Sequence, residues 1–352
     1  MNKFADALLA WFDRYGRHDL PWQQNIEPGR RDAYRVWLSE VMLQQTQVST
    51  VIPYFQRFVE ALPTLPALAA ADEDTVLALW SGLGYYRRAR FLHRAAQLCV
   101  ERHDGELPRD FDALCALPGI GRSTAGAILA QAYGLRFAIL DGNVKRVLTR
   151  YHGIHGHPGQ SAVEKDLWRH AEAHTPKQRL ADYTQAIMDL GATLCVRSRP
   201  LCTACPLRED CVAQRDQLTA QLPSSKPGKV LPSRATMMLI LRDAHGRVLL
   251  ERRGPQGVWS GLWSLPEASD TDGAWRIARR HARIDDAQSL APFMHVFSHY
   301  RLKVEPLLFE GAAARIGVAD NPGTRWCSTE ELAALGLPTP VRNLLQNLAA
   351  IS

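Results

Sequence analysis

The chain has 352 residues, enough for two domains that each bury a core, and its 46% apolar content with a formal net charge of +6 marks a globular protein leaning toward polyanionic partners. Its longest apolar runs, such as Ala235 to Leu241, are too short to span a bilayer and the first residues lack a signal-peptide layout, so no membrane role is expected and cytoplasmic residence is. Seven cysteines, four of them between Cys195 and Cys211, argue against a disulfide scaffold and for metal ligation in a reducing compartment.

From Phe4 to about Arg215 apolar residues recur at spacings of three and four (Leu8, Leu9, Phe12; Val36, Trp37, Leu43), which predicts an all-α half. Within it, Glu40 has Val36 and Trp37 behind it and Leu43 and Gln44 ahead at helical spacing. A carboxyl among such neighbours is desolvated and its pKa rises, which suits a general acid; a buried, hydrogen-bonded structural glutamate fits the same pattern. Further on, Leu117-Pro-Gly119-Ile-Gly121 runs into Arg-Ser123-Thr-Ala-Gly-Ala-Ile, a glycine turn before a helix whose free N–H groups suit a phosphate. A plain helix connection reads the same way. Twenty residues beyond Gly121, Asp141-Gly-Asn143 ends an apolar stretch and opens a new helix. Asp141 is an N-cap there, and the helix dipole favours its ionised form, which could stabilise positive charge developing nearby.

Cys195, Cys202, Cys205 and Cys211 follow with spacing C-x6-C-x2-C-x5-C. A four-cysteine zinc site usually pairs two C-x2-C knuckles, whereas one knuckle flanked by wider gaps favours a [4Fe-4S] cluster. Cys99, Cys115 and Cys327 are isolated and read as small core residues. Residues 218–233 (LTAQLPSSKPGKVLPS) have a linker composition and separate a helical domain at 1–217 from a smaller one at 234–352. The second domain is expected to be α+β. It has β-rich runs at Ala235–Arg242 and Arg247–Arg252 joined by the hairpin signal Asp243-Ala-His-Gly246, strands over Phe293–Phe309, and helical patterns at Gly273–Arg283 and Thr329–Ala349.

Taken together, LPGIG, LDGNVKRV, the cysteine spacing and WLSEVMLQQTQV resemble the iron-sulfur helix-hairpin-helix DNA glycosylases, and within them the MutY type. The resemblance covers nearly the full chain. It implies a helix-hairpin-helix catalytic domain with a structural [4Fe-4S] loop whose Arg197, Arg199 and Arg208 meet DNA phosphates, followed by a Nudix-like domain. Glu40 would protonate adenine at N7 and then assist water, while Asp141 stabilises the oxocarbenium-like state. Gln45 matches the residue that fills the gap left by the flipped base, and Leu83 and Tyr85 those wedged around the lesion, although loop packing explains the tyrosine as well. Leu43 and Gln185 match the adenine pocket and Trp22 its entrance; Gly119, Gly121, Ser123 and Asn143 join the DNA contacts. Phe297, Ser298 and His299 match the loop that reads 8-oxoguanine.

Two departures sharpen these expectations. Where lyase-competent endonuclease III-type enzymes carry a nucleophilic lysine, this chain has Ser123, a tyrosine in some MutY relatives, which favours monofunctional hydrolysis with Lys145 as the nearest amine. The Glu-rich Mg²⁺-binding helix of Nudix hydrolases is replaced by the basic Trp275-Arg-Ile-Ala-Arg-Arg280, so the second domain should bind and not hydrolyse. The expected substrate is double-stranded DNA with adenine opposite 8-oxoguanine or guanine, attacked by a monomer. A bifunctional glycosylase-lyase, a silent damage-binding protein and a nucleotide pyrophosphohydrolase are the competing readings.

Overall fold

Short polar side chains start many of the helices. In a computed structural model of the chain, which describes residues 2–27, 30–226, 228, 230–311, 313–314 and 323–349, the first half runs in this order: α1 (Lys3–Tyr15), β1 (Asn25–Glu27), β2 (Arg30–Arg31), α2 (Ala33–Leu43), α3 (Val48–Ala61), α4 (Leu65–Ala70), α5 (Glu73–Trp80), α6 (Arg87–Arg102), α7 (Phe111–Ala116), α8 (Arg122–Tyr133), α9 (Gly142–His152), α10 (Ser161–His174), α11 (Leu180–Thr193) and α12 (Val212–Arg215). Asn2, Asp32, Asp72, Asp110 and Asp141 each accept a backbone N–H of the turn they open, a cap of about 1 kcal/mol. Pro227 and Lys229 of the expected linker lie outside the described residues. No helix among the described residues is long and apolar enough to cross a membrane.

By packing, the chain forms two units, Met1–Ala70 with Phe91–Pro227 and Ala71–Arg90 with Gly228–Ser352. In the first, Leu8 and Phe12 of α1, Val147 and Leu148 of α9, Leu167 of α10 and Ile187 of α11 share one core, each contributing about 1.5–3 kcal/mol of burial. The antiparallel pair β1–β2 is a small addition to this helical unit, too short to show a period of two in the sequence. The glycine turn does join two helices, α7 and α8. Gly119 there has φ +79°, and a Cβ would sit 2.9 Å from that of Phe91, so the position accepts only glycine without rearrangement.

The second unit contains β3 (Ser233–Leu241), β4 (Val248–Arg252), β5 (Trp263–Ser264), β6 (Glu267–Ala268), α13 (Thr271–His281), β7 (Ala282–Arg283), β8 (Gln288–Ser289), β9 (Phe293–Val296), β10 (Arg301–Phe309), β11 (Ala313–Ala314), β12 (Thr324–Cys327), α14 (Thr329–Ala333) and α15 (Thr339–Ala349). One sheet has the order β6-β3-β10-β8 with β9 also paired to β10; another has β12-β4-β5. Strands β3 and β10 run parallel along their whole length. Met238 and Ile240 face one core and Leu239 and Leu241 the other, which is why β3 reads as an unbroken apolar run.

The expected hairpin at Asp243–Gly246 is a tight turn in which Asp243 accepts the His245 and Arg247 N–H groups at 2.9 and 2.8 Å. Beyond the single bridge Arg242–Val248 its strands part into different sheets, so the turn is a corner. The helical pattern at Thr329–Ala349 splits into α14 and α15 around Gly336-Leu-Pro338. Residues 71–90, read as part of the helical half, pack within this unit: the Tyr86 hydroxyl donates to the Leu337 carbonyl at 2.9 Å, and Arg342 donates to Ser81 Oγ at 2.8 Å.

Candidate active site

A cavity of about 970 Å³ in the first unit brings together much of what the sequence singled out: Glu40, Asp141, Leu43, Gln45, Ser123, Asn143 and Gln185 all line it. Glu40 enters from α2 as a half-buried side chain. Burial, and then repulsion from Asp141, push its carboxyl up to about 7, against a hydrogen bond at 2.9 Å from Gln131 Nε2 that favours the charged form. Gln131, buried on α8, takes Arg31 Nη1 on its own carbonyl at 3.0 Å. Sequence reasoning missed this Arg31–Gln131–Glu40 relay; its signal was one amide inside the apolar run Ala127–Ala132.

Asp141 caps α9 and accepts the Val144 N–H at 2.8 Å. Burial nevertheless raises its pKa, with that N–H bond and Arg146 opposing the rise, so helix-end placement alone does not set its charge as the sequence reading supposed. Ser123 Oγ accepts the Leu140 N–H at 3.0 Å and so fixes the backbone that delivers Asp141. Asn143 Oδ1 accepts from Arg146 Nη2 at 2.8 Å.

Across the cavity, Gln185 is 3% exposed and donates its Nε2 to Asp189 Oδ1 at 2.7 Å. Asp189 is held by the backbone N–H of Arg17 at 2.8 Å and by its guanidinium at 2.6 Å. That assignment leaves Gln185 Oε1 as a buried acceptor with no partner, which costs about 1–3 kcal/mol unless a ligand answers it. Arg17 and Asp189 carried no signal in the sequence. Gln45 has φ 57°, a left-handed backbone that a residue with a side chain adopts at a cost. Trp22 serves as both core and wall, 3% exposed and edge-on to Phe55.

Other expected residues lie elsewhere. Gly119 and Gly121 form the turn before α8, where Gly121 leaves the first N–H groups without a side-chain cap. Leu83 and Tyr85 belong to the second unit: Leu83 is buried, while Tyr85 has φ 49°, is half exposed, and has the Arg88 guanidinium 5.5 Å over its ring. Phe297-Ser298-His299 makes the turn between β9 and β10, closed by Phe297 N–H to Tyr300 carbonyl at 2.9 Å. Phe297 is half-buried against Trp259, His295 and Tyr300, leaving Ser298 and His299 exposed. Lys145 pairs with Glu164 at 2.5 Å and does not line the cavity.

The four clustered cysteines are half-buried and act electrostatically on one another. Arg150 of α9, 2% exposed, holds their loop by donating to the carbonyls of Val196, Arg197, Thr219 and Leu222 at 2.7–3.0 Å and to Cys195 Sγ at 3.5 Å. Arg146 adds a bond to the Cys195 carbonyl at 2.7 Å. Burial pushes the Cys205 thiol up to about 12, opposed by the Leu207 N–H, a setting that stays protonated without a bound cationic centre. Among the described residues, side-chain triads with metal-ligating atoms within 4.8 Å of one another do not include these thiols. Arg197, Arg199 and Arg208 are exposed around the loop, whereas Cys99 and Cys327 are buried.

Residues 38–173 match the model of the HhH-GPD superfamily base excision DNA repair protein, and residues 236–347 that of the NUDIX domain. An adenine DNA glycosylase from Buchnera aphidicola (subsp. Acyrthosiphon pisum) is 36% identical over 346 residues, covering 98% of this chain and 97% of the relative. The Homo sapiens adenine DNA glycosylase is 35% identical, over 98% of this chain and 74% of its own length. A thermostable thymine-DNA glycosylase structure matches 60% of this chain and 95% of its own with TM-score 0.54 and 25% identity. Endonuclease III in a non-covalent DNA complex shares the fold, with TM-score 0.51 over 61% of this chain and 94% of that one, at 22% identity.

Proposed function

This chain belongs to the adenine DNA glycosylases, base excision repair enzymes that act on N-glycosyl bonds, and from that premise we propose that it hydrolyses adenine out of duplex DNA where the base stands opposite 8-oxoguanine or guanine, without cutting the strand. The observation that carries the reading is the pairing of Glu40, held near neutrality, with the unanswered Gln185 Oε1 in one cavity beside Asp141. A base must leave the stack to reach such a cavity. The exocyclic amine of a flipped adenine donates to Gln185 Oε1, and protonated Glu40 gives its proton to N7. The C1′–N9 bond then breaks with its electron pair passing to the base, and positive charge spreads over C1′ and the ring oxygen. Asp141 stabilises that charge. Glu40, now a carboxylate, takes a proton from the water that adds to C1′.

Among the described residues lining the cavity there is no lysine, which supports water and not an amine as nucleophile. In this scheme residues 1–217 supply the chemistry, with Leu43 against the adenine and Gln45 in the vacated stack. Leu83 and Tyr85 brace the lesion, and Gly119, Gly121, Ser123 and Asn143 fix the backbone. Residues 234–352, beyond the 218–233 linker, read 8-oxoguanine through Phe297, Ser298 and His299. The cysteine set fits a [4Fe-4S] cluster, which when bound would fold the loop bearing Arg197, Arg199 and Arg208 for DNA phosphates. The enzyme acts as a monomer in the cytoplasm, at the nucleoid in a bacterium. On α13 the exposed face carries Arg276, Arg279 and Arg280, unsuited to Mg²⁺ and pyrophosphate chemistry.

Single-turnover incubation with duplexes bearing adenine opposite 8-oxoguanine or guanine, developed with and without alkali, tests the scheme. Base release with nicking only after alkali is expected, and Glu40→Gln should bind the duplex yet release almost no adenine. Strand cleavage as fast as base release, or no release at all, defeats it.

A further inference from the structure

The last residue of α9 and the last turns of α10 bring three imidazoles together outside the cavity and the cysteine set. His152 Nε2 lies 2.9 Å from His174 Nε2, and the His152 and His170 rings stack with centroids 3.6 Å apart. One donor atom from each of the three falls within 4.8 Å of the other two. All three side chains are half-buried, so the group is enclosed and still reachable. We propose that His152, His170 and His174 form a binding site for one divalent transition cation of the zinc class.

The chemistry of the donors favours this occupant. Burial and the neighbouring imidazoles hold His152 and His174 down to about 4, so both are neutral at physiological pH and keep a lone pair, while burial with Arg169 lowers His170, whose Nε2 lies 3.1 Å from Arg169 Nη2. Two neutral nitrogens that face each other can share only one proton between them, and a cation answers both. Imidazole sets without thiolate suit zinc, nickel or copper. Tetrahedral Zn–N bonds of about 2.0–2.1 Å place ligand nitrogens roughly 3.3 Å apart, between the spacing of the His152–His174 pair and the outer limit of the triad. The fourth position falls to water or to Asp166, whose Oδ2 is 3.7 Å from His170 Nε2.

Aromatic packing already restrains two of the rings. His174 stacks on Phe4 at 4.0 Å and its carbonyl accepts Asn2 Nδ2 at 2.7 Å, which ties the start of α1 to the triad; Tyr151 stands edge-on to His152 at 4.9 Å. The site is separated from Asp141 by the length of α9, about 16 Å at 1.5 Å per residue. Its effect is therefore on stability and not on the glycosidic chemistry.

The test uses the full-length protein with its iron content verified, dialysed against chelator and then titrated with zinc chloride while bound zinc, iron and the thermal midpoint are measured. Wild type should take up one zinc per chain with iron unchanged and a saturable rise in midpoint, because a ligand that binds only the folded state stabilises it by mass action. His170→Gln and His152→Gln should each weaken zinc binding on the order of 100-fold and abolish the midpoint shift, at unchanged iron content. His157→Gln, in the adjoining loop, should leave both readouts as in wild type. No zinc uptake by wild type, uptake undiminished in both triad variants, or equal loss in His157→Gln overturns the proposal.

Discussion

Replacing Glu40 by glutamine should make the folded protein more stable at alkaline pH and no different in acid. Its carboxyl rises from 4.5 to about 7 on folding, chiefly through burial. Below pH 4.5 both folded and unfolded chains hold the proton and the residue costs nothing. Between about 4.5 and 7 the unfolded chain releases the proton first, so the penalty grows with pH, and above 7 it is constant at about 3 kcal/mol. Glutamine cannot ionise and keeps an oxygen for Gln131 Nε2, so the variant removes the penalty while retaining the hydrogen bond. Urea unfolding of wild type and Glu40→Gln at pH 4.5 and pH 8 measures it. A gain of about 3 kcal/mol at pH 8 that shrinks to about 0.4 kcal/mol at pH 4.5 is expected. An equal difference at both pH values, or a loss at pH 8, would show that Glu40 is not held near neutrality and would refute the reasoning.

The same carboxyl sets the rate profile: single-turnover adenine release should fall about tenfold per unit as pH rises past 7. In Gln131→Leu that falling limb should move to higher pH, because the lost amide favoured the charged form. Gln185→Leu removes the unanswered acceptor and should slow release of adenine about tenfold while barely changing release of purine, which has no exocyclic amine, measured side by side in matched duplexes. Arg150→Met strips the cysteine loop of its buried anchors and should lower the iron-to-protein ratio of purified protein along with an unfolding penalty of about 3 kcal/mol or more, read by metal analysis and urea melts.

Local signals carried much of the fold. The Gly119 turn, the N-cap at Asp141 and the apolar face of Glu40 are each written in a few adjacent residues, because backbone φ, capping and helical period are local properties. What escaped depends on distant partners. Arg17 and Asp189 meet across most of the helical half, and Gln131 earns its place only because α8 packs on α2. The β3–β4 turn has ordinary hairpin residues, but which sheet each strand joins is decided by β10 and β12 far downstream. Likewise α5 looks like any amphipathic helix, and its packing with residues of the C-terminal half leaves no mark in its own sequence.

Helix α9 opens at Asp141 in the cavity, and through Arg146 and Arg150 it grips the cysteine loop. In genetic terms that makes the cap and its helix, residues 141–152, a single locus of failure. A change at Asp141 would remove the carboxylate, and one at Arg146 or Arg150 would release the cysteine loop, yet an activity assay would score both as the same loss. Turnover alone would not tell such alleles apart, whereas the iron content of the protein each one encodes would.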